Sequence, residues 1–124
     1  MGIIRTKRIY ELPAKTDGKR ILVDRIWPRG VSKDAADLDL WPKEIAPTTS
    51  LRKWFGHDPA RFEAFRDRYR EELKTNADAV AELCRLADRN DVTLLYAAHD
   101  EHVNQAIVLA EFLEARGYRF DRGD

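Results

Sequence analysis

The chain has 124 residues, 44% apolar and 35% charged, with formal charges that cancel, a length and composition suited to one globular domain, residues 1–124. Such a domain buries roughly two-thirds of the surface its unfolded chain exposes, so no metal or disulfide is needed to hold it. The mean hydropathy is −0.58, and no apolar run nears the ~20 residues of a bilayer-crossing helix. Met1–Tyr10 has basic residues but no apolar core of a signal peptide, and Cys84 is the sole cysteine, so no internal disulfide can form. The expected location is the cytoplasm, without a membrane partner.

In chain order, Ile3–Tyr10 reads as a mixed-polarity strand, and Thr16-Asp17-Gly18-Lys19 as a turn. Arg20–Trp27 opens with a continuous aliphatic run, the pattern of a strand buried on both faces of a parallel sheet. Pro28-Arg29-Gly30 ends it. Between Val31 and Thr49 the signals are weak: Ser32 can cap one short turn, and Pro42 and Pro47 forbid a long helix.

Ser50–Phe55 reads as a short helix stopped by Gly56. Asp58 and Pro59 form a helix start, followed by the stripe Phe62, Phe65, Tyr69 and Leu73. Asn76 begins a further helix, with Val80, Leu83, Cys84 and Ala87 on one face and Asn90 at its end. Val92–Ala98 is the second buried strand. The last helix is expected to open at Asp100 or Glu101, with Val103, Ala106, Ile107, Ala110 and Leu113 inward and Gly117 as its stop. Tyr118–Phe120 adds a short edge strand. The order implies an α/β fold: a single open, largely parallel small sheet of about four strands with helices packed on it.

Ligands of open α/β sheets sit beyond the carboxyl ends of the strands. Two segments occupy that position here, Asp24–Gly30 and Tyr96–Asp100, and they share one rim if their strands are neighbours. Arg25 and Arg29 offer forked donors that match phosphate or carboxylate oxygens. Trp27 offers a flat stacking surface, and Lys33 and Lys43 add charge. Trp41, Trp54 and Phe55 lie close in sequence to Lys43, Arg52 and Lys53, the interleaving that single-stranded nucleic acid binding uses. Each feature has a structural alternative: Asp24 and Arg25 as ion-pair partners, Trp27 as a cover over the core, and the other aromatics as pins for an irregular segment.

Asn104 is a ligand candidate one turn into the expected last helix, and Tyr96 and Asp100 are candidates for moving a proton, Asp100 only if it is not a helix cap. His99 and His102, with His57 the only other histidine, fall short of the three or four good ligands a transition metal wants. No metal or cofactor is expected. Cys84 sits mid-stripe, as an inert core thiol does. Phosphate-loop, dinucleotide-fingerprint, serine-elbow and zinc-protease patterns are all missing, so no reaction is indicated.

The charge is uneven. Residues 1–57 hold 12 Lys/Arg against 7 Asp/Glu, and residues 58–124 hold 10 against 15. The leading reading is a domain binding an anionic, phosphorylated or nucleotide-like small ligand through Arg25, Trp27, Arg29, Lys33, Trp41, Lys43, Arg52 and Asn104. The alternatives are single-stranded nucleic acid binding through the basic first half and a protein-interaction module without a ligand.

The runs Leu22-Val23-Asp24-Arg25-Ile26-Trp27-Pro28-Arg29-Gly30, Trp41–Pro47, Leu51–Phe55 and Leu94–Ala98, with Asn104 downstream, resemble the YeaO-like branch of the domain-of-unknown-function family 488. The resemblance extends from about Arg8 to Leu113. It implies a small bacterial α/β domain and brings no activity, substrate or catalytic residue with it.

Overall fold

A computed structural model describes residues 1–123. Its four strands are β1 (Ile3–Arg8), β2 (Lys19–Leu22), β3 (Val92–Tyr96) and β4 (Arg119–Phe120). They form one all-parallel sheet in the order β2-β3-β1-β4. The helices are α1 (Lys33–Ala36), α2 (Thr49–Phe55), α3 (Phe62–Thr75), α4 (Ala77–Arg89) and α5 (Gln105–Glu114). The expected α/β architecture is therefore present, and β2 and β3 are neighbours. Among the described residues no helix is long and apolar enough to cross a membrane.

Alternation along the strands gives the sheet two different faces. Ile4, Ile21, Val23, Val92, Leu94 and Tyr96 point to one face, where the apolar stripes of α3, α4 and α5 complete the main core. Leu22, Leu95 and Ile9 point to the other, which has no long helix. There the chain between β1 and β2 and the irregular segment after β2 form the cover. Trp27 and Trp41 meet edge to face with ring centroids 5.2 Å apart, and both pack on that smaller cluster.

Two elements, β2 and α5, depart most from the sequence reading. Strand β2 stops at Leu22 rather than Trp27. Val23 makes the last ladder bond, its N–H to the Leu95 carbonyl at 3.0 Å, and the chain then leaves the sheet. Helix α5 begins at Gln105, not at Asp100 or Glu101, because Asn104 is its N-cap and accepts the Ile107 N–H at 3.0 Å. The α5 surface is also buried more completely than a single stripe, with Val108, Leu109 and Phe112 inside. Elsewhere the caps match: Ser32 caps α1, and Asp58 and Pro59 start a short 3-10 turn leading into α3.

The second face carries a buried ion cluster. Arg20 is 3% exposed and Asp17 4%, and they pair directly while Lys7 Nζ reaches Asp17 at 3.1 Å. The rest of the Arg20 guanidinium donates to the carbonyls of Ala36 and Asp37, which ties α1 to the sheet. The turn that presents Asp17 needs Gly18, whose φ is +64° and whose added Cβ would sit 2.2 Å from the Asp91 carbonyl oxygen.

Burial would raise the Asp17 pKa. The Ala14 N–H and the Lys7 and Arg20 charges outweigh it and hold the carboxyl below its ordinary value. Removing one partner of a buried pair leaves the other uncompensated, so Asp17→Asn is expected to cost about 3 kcal/mol in urea denaturation at neutral pH. Because a depressed carboxyl pKa stabilises above the unfolded value and is lost as pH falls through the folded one, the gap between wild type and variant should close only in acid, below the ordinary carboxylate range.

Candidate functional site

A cleft of about 790 Å³ lies at the carboxyl ends of the strands. Tyr10 follows β1, Asp24–Arg29 follow β2, and Ala97–Asp100 follow β3, so three strand ends feed one wall. Arg52, Phe55 and His57 from α2 and its exit, Phe65 from α3, and Gln105 at the start of α5 supply the rest. The volume is within the range of small-molecule sites.

Asp24 is the organising group. Once β2 leaves the sheet, the Ala97 N–H has no ladder carbonyl, and Asp24 Oδ2 accepts it at 2.9 Å. The Gln105 amide donates to Asp24 Oδ1. Trp41 Nε1 donates to the Asp24 carbonyl at 2.8 Å. Burial pushes the Asp24 carboxyl up to about 6, against the pull of the Ala97 N–H, the Gln105 amide and the Arg52 charge.

Among the described residues the guanidiniums of Arg29 and Arg52 have no hydrogen-bond or ion-pair partner of their own. Both line the cleft. Arg25 also lines it, but its Nε and one Nη donate to the carbonyls of Pro47 and Ala46, each at 3.0 Å, so it straps the irregular segment to the end of β2. His57 stands on the rim in a left-handed conformation, φ 58°, directly after the left-handed Gly56 that ends α2. For a residue with a Cβ this costs roughly 1–2 kcal/mol, and such strain concentrates at functional positions.

The structure gathers Arg25, Trp27, Arg29, Arg52 and Asp100 at this cleft and leaves the other expected residues outside it. Trp41 is packed under the cleft floor, with Lys43 Nζ 4.2 Å above its ring. Lys33 lies exposed in the first turn of α1. Asn104 is fully buried, its oxygen capping α5 and its amide donating to the Asp100 carbonyl at 2.8 Å. Tyr96 is 2% exposed, and burial pushes its phenol up to about 12. Asp100 Oδ1 accepts the N–H groups of His102 and Val103 at 2.8 and 3.1 Å. Among the described residues no three His, Cys, Asp or Glu side chains form a group able to hold a metal ion.

Gln105, His57 and Tyr10 are polar or aromatic cleft residues that sequence reasoning missed, together with the central role of Asp24. For Asp24 a signal existed: a carboxylate directly after the apolar run of a doubly buried strand is a costly placement unless it is hydrogen-bonded. Gln105 was hidden by the misplaced start of α5.

The fold and cleft define a small parallel α/β domain with a polar, cation-bearing site beyond its strand ends. The chain belongs to the inactive DUF488-N3 subclade, whose family model matches residues 3–123. It is 44% identical over 113 residues to an uncharacterised protein of Mycobacterium tuberculosis and to another of Mycobacterium bovis, covering 91% of this chain and 95% of theirs. It is 42% identical over 112 residues to the uncharacterised protein YeaO of Escherichia coli, covering 90% of this chain and 97% of that protein. No solved structure matches it.

The raised pKa of Asp24 has a sign that can be measured. A folded value above the unfolded 3.8 contributes stability at low pH that is lost as pH rises through about 6. Between pH 4.5 and 7.5 this one carboxyl should cost about 1–2 kcal/mol. Urea denaturation at the two pH values should therefore show Asp24→Asn gaining on wild type by that amount at the higher pH. An unchanged difference would mean that Asp24 titrates normally.

Proposed function

We propose that the protein binds an anionic small molecule, phosphorylated or nucleotide-like, in the cleft at the strand carboxyl ends and does not transform it. The observation that carries the reading is the pair of guanidiniums, Arg29 and Arg52, that line the cleft with no hydrogen-bond or ion-pair partner among the described residues, while Arg25 beside them is held by main-chain carbonyls. Forked guanidinium donors match phosphate and carboxylate oxygens two at a time. Trp27, Phe55 and Tyr10 add aromatic surface around them.

The absence of turnover fits the groups at hand. Asp100 is engaged by two backbone N–H groups, and the Tyr96 phenol is far from any working pH. Membership in a subclade described as inactive agrees with this.

Nucleic acid binding through the tryptophans finds less support. Trp27 and Trp41 meet edge to face and pack on the core cluster of the smaller sheet face, and Trp54 lies beneath the Arg68 and Arg61 guanidiniums at 4.0 and 5.2 Å. The Trp54 contacts take ring surface that a base would use.

A thermal-shift series tests the reading, with inorganic phosphate, nucleotides, dicarboxylates and a short single-stranded oligonucleotide at two salt concentrations. A ligand at ~100 times its Kd adds ~2.7 kcal/mol, a rise of several degrees. We expect such a rise with phosphate-bearing small molecules and its loss in Arg29→Ala and Arg52→Ala. Arg29→Ala should melt like wild type without ligand, since that side chain is exposed and makes no hydrogen bond or ion pair, and Arg52→Ala should melt slightly lower because it loses a charge that favours ionised Asp24. A rise with the oligonucleotide alone, abolished by salt, would move the function to nucleic acid. No rise with any of them would overturn the proposal.

A further inference from the structure

A bare anion site would have no use for a carboxylate on its floor, yet Asp24 faces the same cleft as Arg29 and Arg52. We infer that the ligand is a phosphorylated sugar, free or within a nucleotide, whose hydroxyls are held by Asp24 and Gln105 while Arg29 and Arg52 take the phosphate. The inference rests on the anion-site reading above and narrows it.

The argument is one of hydrogen-bond capacity. A carboxylate offers about four acceptor positions. In Asp24 each oxygen has one donor from the protein: the Ala97 N–H on Oδ2 and the Gln105 amide on Oδ1. The two protein donors fix the carboxylate plane and leave acceptor capacity on both oxygens of a half-buried group that lines the cleft. The Gln105 side-chain carbonyl oxygen has no partner among the described residues, and Gln105 lines the same cleft. Acceptors side by side suit adjacent hydroxyl groups, each of which donates one O–H.

The same carboxylate acts against the wrong ligand. Phosphate or a dicarboxylate entering the cleft gains the two arginines but meets a negative floor. A ligand with donors at one end and an anion at the other gains both. Selection by repulsion as well as attraction is how a site distinguishes related anions.

Isothermal titration at pH 7.5 tests this with two matched pairs, ribose 5-phosphate against 2-deoxyribose 5-phosphate and AMP against 2′-deoxy-AMP, with inorganic phosphate as the reference. A hydrogen bond to a charged group is worth about a tenfold change or more in affinity. We expect the hydroxyl-bearing member to bind at least tenfold tighter than its deoxy partner. Asp24→Asn should shrink that preference while inorganic phosphate binds as well as before or better. A preference in both pairs assigns a sugar phosphate, and one confined to the nucleotide pair assigns a nucleotide.

Deoxy and hydroxyl ligands of equal affinity in both pairs, with phosphate binding dependent on Arg29 and Arg52, would overturn this inference and leave the anion site standing. If no phosphate compound binds, both fail together. The comparison on wild-type protein needs no variant, so a folding defect in Asp24→Asn does not cloud it.

Discussion

The bond from the Ala97 N–H to the Asp24 carboxylate is the interaction on which the cleft depends. Two parallel strands can part only if the backbone groups freed at the parting find new partners, because a half-buried N–H without one costs about as much as a lost hydrogen bond. Val23 makes the last ladder bond to Leu95. One residue later a side-chain oxygen replaces the missing backbone carbonyl, and one residue beyond that Arg25 turns to the 46–47 segment. The splay of β2 from β3 is thereby fixed, and the cleft occupies the gap. Indole Nε1 of Trp41 satisfies the Asp24 carbonyl from below, so both ends of this residue are held.

The asymmetry of the sheet explains why the site is built from loops on a rigid base. On the main face, α3 to α5 bury a continuous apolar core. On the other face, the cover is the irregular chain between β2 and α2, pinned by three kinds of contact. Its residues Asp39 and Leu40 donate backbone N–H groups to the Arg20 carbonyl at the β2 edge, the Arg20 side chain holds the end of α1, and the two indoles pack on Leu22 and Leu95. Within residues 31–49, Trp41 packs on the smaller core cluster with Lys43 over its ring, so these two of the segment's binding-like residues serve the cover.

How much of this was legible in the sequence follows from which signals are local. Aliphatic runs at 21–23 and 92–96 announced the buried strands, and the i+3/i+4 stripe Phe62, Phe65, Tyr69, Leu73 announced α3, because periodicity is set by one element at a time. That the rim lies beyond the strand ends followed from the parallel-sheet expectation, while the adjacency of the two ends had to come from the strand order β2-β3-β1-β4. The failures were at element ends. Ile26 and Trp27 look like strand residues but serve a loop, since the partner strand had already ended. At the other side, an acidic pair at 100–101 resembled a helix start, yet His102 and Val103 follow before Asn104 caps the helix. That displacement turned Asn104 from an expected cleft residue into a buried cap and put Gln105 in its place. No local pattern distinguishes these neighbours, because the choice is made by Asp24, 81 positions away in the chain.

A carboxylate so placed bears on the question of chemistry. A general base works best when its pKa lies near the operating pH and its lone pairs reach the proton to be moved. Asp24, with a pKa of about 6, meets the first condition. Its environment was set for another purpose, however. Both oxygens already accept from the protein, one donor being a main-chain N–H that cannot rotate away without reopening the strand junction. A proton on Oδ1 would leave Oδ2 accepting the Ala97 N–H, so the strand junction keeps its bond in either state while burial favours the neutral one. A carboxyl pinned by a main-chain N–H on one oxygen and an amide on the other is poorly placed to swing toward a reacting proton in each turnover. It is well suited to staying ionised and reading the donors of a bound ligand, which is why we favour recognition over catalysis at this cleft.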